Sequence, residues 1–526
     1  MHSTIIDGSA YAEHVTLPDS IYGIAPYSFE GNERITHITF PKTLENVKEA
    51  GFWGCKNLQS ISFNSKIGNI GEKAFRKCIS LMSLSVDVHV LQNQAFAFCT
   101  SLQSATVLGT HYLECDTFYG CSSLTDITCP QVTSVDDGCF SDCESLQSFN
   151  FKNLRRIGER AFSNCNSLTE INLNSDTKIS AHAFEDSGKI QRITLSHPDL
   201  KYESYAFSGC TALQCIEISG VCYEINDYAF IHDPNVPSCA KTIYASALSC
   251  FDIRNNTIFA YHNNGRYVCI PEGIKEIGDN VFKDCADLED VVIAKSVSFI
   301  GWRAFWGTKW LQKQRLLSKM VIVNDILIDG ETCEGDVIIP NTVKLVSGWA
   351  FANCFSLTSV TFSSNSTKIM EYAFRNCINL KQVIMDGEAY TLTGIAENPH
   401  LPVLVQRIFR ECLNCFKVDE NGLLYECTGN IERLILPKGI KSIGDGVFRE
   451  SNLLTNIVLN DEVCSIGDSA FESCKWLVSV MGGKNVASIG KKAFRGCYAL
   501  ERIELSNECD VGDKAFDRCP ALQRAL

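Results

Sequence analysis

The sequence has no stretch of about 18 uninterrupted apolar residues, the length that a membrane-spanning helix needs, so no integral membrane segment is predicted. Its first twenty residues lack a basic segment followed by an apolar run, so we do not expect a secretory signal. Basic residues are the minority, with 47 lysines and arginines against 61 aspartates and glutamates and a net charge of −14. A negative field of this kind repels polyanions, which excludes nucleic acid from the expected partners.

The motifs that mark common enzyme sites are also missing. The chain contains no G-x-S-x-G, Walker, H-E-x-x-H or Rossmann motif, and its ten histidines are scattered rather than clustered for acid and base chemistry. The glycine-rich "MGGKN" at residues 481–485 lacks the GK[ST] of a phosphate-binding loop and is interpreted as a bulge. We therefore predict a protein that is not an enzyme and that uses no cofactor.

Cysteine pairs with the spacing of metal or redox sites are scarce. Among 27 cysteines the one CxxC is Cys412 to Cys415, and it lacks the βαβ context of a redox motif. Zinc would need a second pair nearby in space, and the nearest histidine in sequence is His400. No metal site is predicted.

Phenylalanine, in contrast, is abundant and regularly spaced. The chain has 30 phenylalanines and 45% hydrophobic residues, enough apolar surface to fold throughout. Eighteen of the phenylalanines recur within runs at intervals of 21 to 23 residues, many of them in "AF" after an "IG" dipeptide whose isoleucine lies five positions earlier. We call these the repeat phenylalanines: Phe29, Phe52, Phe75, Phe96, Phe118, Phe140, Phe162, Phe184, Phe207, Phe230, Phe282, Phe305, Phe351, Phe374, Phe448, Phe471, Phe494 and Phe516.

Each repeat also carries the pattern of a short strand. Six residues after the repeat phenylalanine comes an aliphatic residue, and two more apolar residues follow at nine and eleven, as in Leu168, Ile171 and Leu173. This alternation indicates a strand with one buried side, and the short "IGxxAFxxC" segment indicates a turn and a tight return. The period and pattern are those of stacked leucine-rich repeats. We predict a β-rich repeat solenoid of about 20 coils, with a parallel concave sheet and short turns or 3-10 segments on the other side.

The same pattern resembles a known family. "LPKGIKSIGDGVFRESNLLTNIVLNDEVCSIGDSAFESC", residues 436–474, resembles the BspA-like leucine-rich repeats, also called the Treponema pallidum type. The resemblance extends over nearly the whole chain. It implies a surface antigen or adhesin, found in bacteria and multiplied in some parasitic protists, that recognises host-cell or extracellular-matrix protein.

The period is interrupted at about residues 231–270, 306–339 and 385–436. We interpret these segments as variant coils with hairpin-like turns, since they are not enriched in Gly, Ser and Pro as flexible linkers would be. Two of them contain predicted helices, at 308–320 and 400–415. We predict one domain, residues 1–526, with regular blocks at about 19–230, 271–305, 340–385 and 437–526.

Cysteine occupies the third position after thirteen of the repeat phenylalanines, and Asn, Ser, Asp or Thr replaces it elsewhere. A position that accepts all of these needs a small side chain rather than a thiolate, so buried free thiols are favoured over disulfides between coils. These ladder cysteines are Cys55, Cys78, Cys99, Cys121, Cys143, Cys165, Cys210, Cys285, Cys354, Cys377, Cys474, Cys497 and Cys519.

Residues eight and ten after each repeat phenylalanine should point outward from the strands, on a polar candidate binding face. Because Trp, Tyr and Arg anchors are absent there, each contact should be weak and many copies would bind by avidity. The alternative is that this polar face only keeps the sheet soluble. The face comprises His37, Thr39, Ser60, Ser62, Ser83, Ser85, Ser104, Thr106, Asp126, Thr128, Ser148, Asn150, Glu170 and Asn172.

Two functions follow. The first is the surface antigen or adhesin, binding protein and, as a second class of ligand, glycan. The second is an intracellular scaffold for protein–protein interaction. The resemblance favours the cell surface, whereas the absent signal and the free cysteines favour the cytoplasm, so both localisations stay open.

Overall fold

The computed structural model describes residues 3–522 except 12, 175, 364–365, 393–400, 414, 429–430, 432 and 507. The chain divides into two compact units. The first comprises Met1–Val297 with Phe305–Gln312, and the second comprises Ser298–Ala304 with Lys313–Leu526. The single continuous domain stays a prediction, and each unit is described by itself.

Each coil contributes strands of two kinds, which confirms the predicted β-rich solenoid with parallel sheets. First-face strands follow the repeat phenylalanine by about eight residues, and second-face strands end near the aliphatic residue five positions before it. Successive coils pair in parallel, with Ser60 opposite His37 on the first face and Asn69 opposite Asn46 on the second. The tight return predicted for each coil is therefore extended and forms a second sheet.

The strands of the first unit are as follows. Its first-face strands are Glu13–Thr16, Ile35–Thr39, Ser60–Ser62, Ser83–Leu91, Ser104–Leu108, Asp126–Thr128, Glu170–Leu173, Arg192–Leu195, Cys215–Ile218, Val221–Glu224, Tyr267–Ile270 and Asp290–Ile293. Its second-face strands are Ser3–Ile5, Ile21–Ile24, Asn46–Val47, Ile67–Ile70, Tyr112–Leu113, Ser134–Val135, Arg156–Ile157, Lys178–Ile179, Lys201–Tyr202, Phe251–Arg254, Thr257–Tyr261 and Glu276–Ile277. The long strand Ser83–Leu91 pairs on both faces.

The second unit repeats the arrangement. Its first-face strands are Gly335–Ile339, Leu357–Phe362, Gln382–Met385, Glu388–Thr391, Arg433–Ile435, Asn456–Val458, Ser479–Met481 and Arg502–Ile503. Its second-face strands are Phe299–Ile300, Val321–Val323, Ile326–Asp329, Leu345–Val346, Lys368–Ile369, Phe416–Val418, Leu423–Cys427, Ser442–Ile443, Ser465–Ile466, Ser488–Ile489 and Asp510–Val511. Three 3-10 segments, Phe151–Asn153, Tyr228–His232 and Gly483–Asn485, complete the two units.

The turn around each repeat phenylalanine has a fixed backbone form. In the Phe52 coil, Ala50 and Gly54 have φ of 51° and 71°, and the same two positions are left-handed in the other regular coils. This form directs the N–H groups of Ala50, Phe52 and Gly54 to the carbonyls of the next coil, at 2.7 to 2.8 Å. Left-handed backbone costs a non-glycine residue about 1–2 kcal/mol, and these hydrogen bonds between coils offset that cost.

The repeat phenylalanines form a continuous ring stack within each regular block. From Phe29 to Phe207 neighbouring ring centroids lie 4.5 to 5.8 Å apart, and the rings are nearly parallel. The stack from Phe448 to Phe516 has the same geometry. The core of each unit therefore follows the column of aromatic rings between the two faces.

Phe230 is an exception to the predicted repeat. It lies in the 3-10 segment Tyr228–His232, and its ring meets Tyr244 edge-on at 5.5 Å instead of stacking on Phe207. The reason is that strand Val221–Glu224 runs antiparallel to Cys215–Ile218, so the chain leaves the register of the coils before it reaches Phe230.

The glycine of "IG" is explained by close packing and not by an unusual backbone angle. A Cβ added to Gly490 would lie 2.5 Å from the main-chain nitrogen of Asp468 in the preceding coil, and one added to Gly158 would lie 2.5 Å from that of Asp137. Neither glycine has a left-handed φ. Main chains of neighbouring coils thus approach too closely here for any side chain.

The interruptions of the period contain helices and antiparallel hairpins. The predicted helices at 308–320 and 400–415 are confirmed as α2, Lys309–Leu317, and α3, Val403–Cys412. A further helix, α1, Ser238–Ala247, was not predicted. Antiparallel hairpins occur in the interruptions on the second face, and two others lie on the first face. The second-face hairpins join Phe251–Arg254 to Thr257–Tyr261, Val321–Val323 to Ile326–Asp329 and Phe416–Val418 to Leu423–Cys427, and those on the first face join Cys215–Ile218 to Val221–Glu224 and Gln382–Met385 to Glu388–Thr391.

Helix α3 closes the block that ends with Phe374. The carboxylate of Glu411, only 8% exposed, accepts the N–H of Phe374 at 3.3 Å, and its carbonyl accepts the N–H of Asn376 at 3.1 Å. Burial raises the pKa of Glu411. In a regular block the carbonyls of the next coil would accept these two N–H groups. The oxygens of Glu411 take their place, so the N–H groups of Phe374 and Asn376 at the end of the block are paired.

Candidate functional site

Most of the predicted face residues lie side by side on the first-face strands of the first unit. His37 and Thr39 lie opposite Ser60 and Ser62. Between them the apolar Ile38 is buried, which leaves the polar residues on the outer side. The same register places Ser83 and Ser85 opposite Ser104 and Thr106, and these opposite Asp126 and Thr128. Glu170 and Asn172 lie opposite Arg192 and Thr194.

Ser148 and Asn150 do not belong to this arrangement, and the strand predicted for them is wrong. No strand forms at 147–150, and the Asn150 carboxamide instead accepts the N–H of Lys152 at 3.3 Å ahead of the 3-10 segment Phe151–Asn153. This cap of Asn150 competes with strand pairing at the same residues. The rings of Phe149 and Phe151 still reach the core, where both lie 5.0 Å from the ring of Phe162.

The outer face of the first unit is rich in hydroxyl groups and carries few charges. The rings of His14 and His37 stack at 4.2 Å at one end of the predicted residues, and Arg192 pairs with Glu217 at 3.2 Å beyond the other. Between these ends the side chains are small. A partner could lie flat on this face, and many weak polar contacts would hold it.

A cluster of aromatic and arginine side chains in the second unit was missed by the sequence analysis. The indole of Trp349 lies 5.7 Å from that of Trp302 and 6.2 Å from the ring of Tyr372. The guanidinium groups of Arg303 and Arg375 lie over Trp349 at 4.4 and 4.7 Å. These are the residue types of strong protein contacts. Comparing the residues two positions before each repeat phenylalanine would have revealed Arg303, Trp349 and Tyr372 in one column.

Most of the ladder cysteines serve as buried hydrogen-bond donors. The thiol of Cys143 donates to the carbonyl of Phe118 at 3.2 Å, and Cys497 donates to Phe471 at 3.1 Å. Ser187, which replaces cysteine in its coil, donates in the same way to Phe162 at 2.7 Å. A small donor therefore satisfies the position whether it is a thiol or a hydroxyl, which explains the substitutions in the sequence.

The two cysteines of the CxxC have different thiol neighbours. Cys412 affects the pKa of Cys377, and Cys427 affects that of Cys415. His400 lies outside the described residues. A disulfide joins Cys215 to Cys222 in the hairpin before α1.

Burial should make the ladder thiols unreactive in the folded protein. It raises the pKa of Cys474 to about 12 and that of Cys143 well above its ordinary value, and both side chains are fully buried, whereas Cys464 is exposed. At pH 8 we expect iodoacetamide to modify Cys464 at least about a hundredfold faster than either ladder thiol, because the thiolate is the nucleophile. Peptide mass spectrometry during native alkylation measures these rates. Cys143 reacting as fast as Cys464 would contradict the buried ladder, and unfolding in urea should equalise the rates.

An acidic cleft of about 570 Å³ lies in the first unit. It is lined by carboxylates that include Asp116, Asp142 and Asp186, and Arg160 beside them pairs with Glu185 at 3.4 Å. In the part of the chain that the structure describes, no group of three or more His, Cys, Asp or Glu side chains is arranged to hold a metal ion.

Asp186 should make stability depend on pH. The carboxyl is 8% exposed and accepts the Asn263 amide at 2.8 Å, and burial raises its pKa to about 6. Between about pH 4 and pH 6 the Asp186 carboxyl therefore keeps its proton in the folded chain and loses it in the unfolded chain. The contribution of this group to the free energy of unfolding is fully present below pH 4 and is lost as pH rises through 6. Replacing Asp186 with Asn should stabilise the protein by about 2–3 kcal/mol more at pH 7.5 than at pH 4. Urea unfolding at the two pH values tests this.

Asparagine fits the left-handed backbone of Asp186, since Asn164, Asn353 and Asn376 occupy the same position in other coils. The control is Asp116→Asn, at the left-handed position before Phe118 in the same cleft. If Asp186→Asn shifted the stability equally at both pH values, the buried proton would be disproved.

Among the described residues, no helix has the length and apolar composition to cross a membrane.

Comparisons with known proteins agree with this architecture. A family model described as the BspA type leucine rich repeat region matches six times, at residues 7–113, 111–237, 203–327, 252–381, 332–398 and 420–525. No curated protein matches the sequence.

Solved structures of bacterial leucine-rich repeat proteins are also among the matches. A leucine rich cell surface protein from Faecalibacterium prausnitzii A2-165 is 22% identical, with 73% of this chain and 90% of that chain covered and a TM-score of 0.27. The T. pallidum leucine rich repeat protein is 23% identical, with coverages of 30% and 78% and a TM-score of 0.27. One from Bacteroides ovatus is 19% identical, with coverages of 97% and 86% and a TM-score of 0.17. Because the family model matches nearly the whole sequence, the chain belongs to the BspA-type leucine-rich repeat family.

Proposed function

We propose that this protein is a surface antigen or adhesin that binds host-cell or extracellular-matrix protein through the first face of its first unit. Leucine-rich repeats form a protein-interaction fold. The observation that supports the use of this face is the register of its outer side chains, in which His37 and Ser60, and Ser83, Ser104 and Asp126, lie opposite one another across neighbouring coils. Such a row offers a partner many equivalent hydroxyl contacts.

The small size of these side chains decides how binding would work. Hydroxyl contacts with a partner exchange for contacts with water, so each contributes little, and affinity would come from the number of coils engaged and from many copies at a surface. The proposed binding is therefore strong only when the protein is displayed in multiple copies.

The location is tested by labelling intact producing cells with a membrane-impermeant amine reagent. The adhesin proposal expects this chain to be labelled. If only lysed cells yielded labelled chain, the intracellular scaffold would be favoured.

The face is tested with bulky, charged substitutions. The double variant Ser83→Arg with Ser104→Arg should weaken binding of the bead-displayed protein to fibronectin, laminin or collagen by roughly tenfold or more, since two guanidinium groups would hold the partner away. Asn93→Arg with His111→Arg adds the same charge at exposed positions away from the face in the same unit. Equal loss in both double variants would mean that charge, and not this face, governs binding.

A further inference from the structure

The second unit contains a cleft that none of the functions above uses. It measures about 880 Å³ and lies where the segments after Phe351 and Phe374 meet the start of strand Arg433–Ile435. Its size is within the range of about 300–1,000 Å³ that small-ligand sites occupy. The cleft is therefore large enough for one or two sugar rings.

Two basic side chains line the cleft, and neither has an ionic partner among the described residues. Lys381 and Arg433 are exposed, and neither forms an ion pair with any described residue. The carboxylates of Glu331 and Glu334, which also line the cleft, are in contrast paired with Arg315 and Lys319. The unpaired charge in the cleft is thus positive although the chain as a whole is negative, and it suits an anionic ligand.

The neutral part of the lining suits a ligand rich in hydroxyl groups. Asn353 accepts the Asn376 amide at 3.0 Å, which leaves the NH₂ group of Asn353 without a partner among the described residues. The hydroxyl-bearing Ser356 and Thr358 also line the cleft, and so does Asn379, whose amide donates to the carbonyl of Phe355 at 2.6 Å and holds that residue in place. An acidic peptide would use fewer of these amide and hydroxyl groups, because its side chains present carboxylates and not hydroxyl groups. The lining therefore favours a sugar over a peptide.

Phe355 provides an apolar surface beside these amides. Its ring is half-buried and packs against the core of the block that contains Phe448. A ring held in this way can stack on the apolar side of a sugar without losing much conformational freedom. Ile435, the last residue of strand Arg433–Ile435, adds a second apolar side chain to the lining.

We propose that this cleft binds a sugar that bears a carboxylate. Lys381 and Arg433 bind the carboxylate, Asn353 binds ring hydroxyl groups, and Phe355 stacks on the ring. A terminal sialic acid and a uronate within a longer glycan share this chemistry, and the experiment distinguishes them.

Isothermal titration calorimetry of the full chain tests the site. The probes are 3′-sialyllactose, a hyaluronan tetrasaccharide, neutral lactose and a hexaglutamate peptide. We expect one of the two acidic glycans to bind with a stoichiometry of one and lactose to bind at least about tenfold more weakly, since lactose lacks the charge-assisted hydrogen bonds. Lys381→Gln and Arg433→Gln should each weaken the acidic glycan by roughly tenfold or more.

Lys484→Gln is the matched control, because Lys484 is also exposed in the second unit and lies outside the cleft. Its affinity should equal that of the unchanged protein. Thermal melting confirms that the variants fold. The proposal is overturned if neither acidic glycan binds, if all three glutamine variants bind equally, or if hexaglutamate binds more tightly than both glycans.

Discussion

Replacing Phe162 with alanine should destabilise the first unit by about 3–5 kcal/mol, the cost of removing a fully buried aromatic ring from a packed core. The ring is 0% exposed and stacks on Phe140 and Phe184 at 5.2 and 5.5 Å. It also meets Phe149 and Phe151 at 5.0 Å. Because a coil contacts only its neighbours, the loss should be largest close to the substitution.

Urea unfolding together with amide hydrogen exchange measures this loss and locates it. We expect the exchange protection of the coils containing Phe140 and Phe184 to fall more than that of the coil containing Phe29. The matched control is Phe259→Ala in the same unit, since Phe259 is 53% exposed and the Arg254 guanidinium lies 5.7 Å from its ring. A Phe162 variant that unfolded at the same urea concentration as the Phe259 variant would contradict the role of the ring stack.

Replacing Gly490 with alanine should cost the second unit about 3 kcal/mol. A Cβ at this position would lie 2.5 Å from the main-chain nitrogen of Asp468 and 2.5 Å from the carbonyl carbon of Gly467. Main-chain atoms cannot rotate away as a side chain would, so two coils must separate, and overpacking of this kind costs about 1–3 kcal/mol with the lost inter-coil hydrogen bonds added. The midpoint of urea unfolding reports the change.

Gly446→Ala provides the control for this substitution. Gly446 has a left-handed φ of 63°, and a Cβ there would meet nothing within 4 Å. It should therefore cost only the backbone strain of about 1 kcal/mol. If alanine at 446 were the more damaging of the two, backbone angle and not contact between coils would explain the regular spacing of glycine along this sequence.

The repeat itself was predictable because its physical causes are local. A buried aromatic ring, a strand with alternating apolar residues and a turn recur in the regular coils. Each of these elements needs the same residue types every time, so the sequence shows the same period as the structure. The side of the strand that carries His37, Ser60 and Ser83 followed directly from the two-residue period of strands. The strand predicted for Ser148 and Asn150 was wrong because the Asn150 side chain caps the 3-10 segment Phe151–Asn153, and this cap competes with strand pairing.

The irregular elements were harder to predict, although some signals were present. Helix α1 buries Ala240, Ile243, Tyr244 and Ala247, which is the spacing of one helix side, but it is short and follows a segment without the repeat. The first-face hairpins turn at Ser219–Gly220 and at Asp386–Gly387, which are pairs typical of tight turns. Both signals were obscured by the assumption that each interruption forms one hairpin.

The contact between Trp302 and Trp349 and the cleft beside Lys381 could not be predicted from one repeat. Trp302 and Trp349 are separated in sequence by helix α2 and a hairpin, and their contact depends on how that insertion folds. The cleft requires the regular block at 340–385 to meet residues of the interruptions on either side of it, such as Glu331 and Arg433. Neither feature has a period, because each results from the insertions that interrupt the period.

The hydrogen bonds between the turns give the stack a direction. In the regular coils the N–H groups at and beside the repeat phenylalanine point toward the following coil, and the carbonyls point toward the preceding one. The peptide dipoles of a block therefore add along its axis, as they do in a helix, and leave the N–H side partially positive. The carboxylate of Glu411 lies at such a positive end. Coils can consequently be added by duplication only head to tail, and a negative group is the natural terminator of a block.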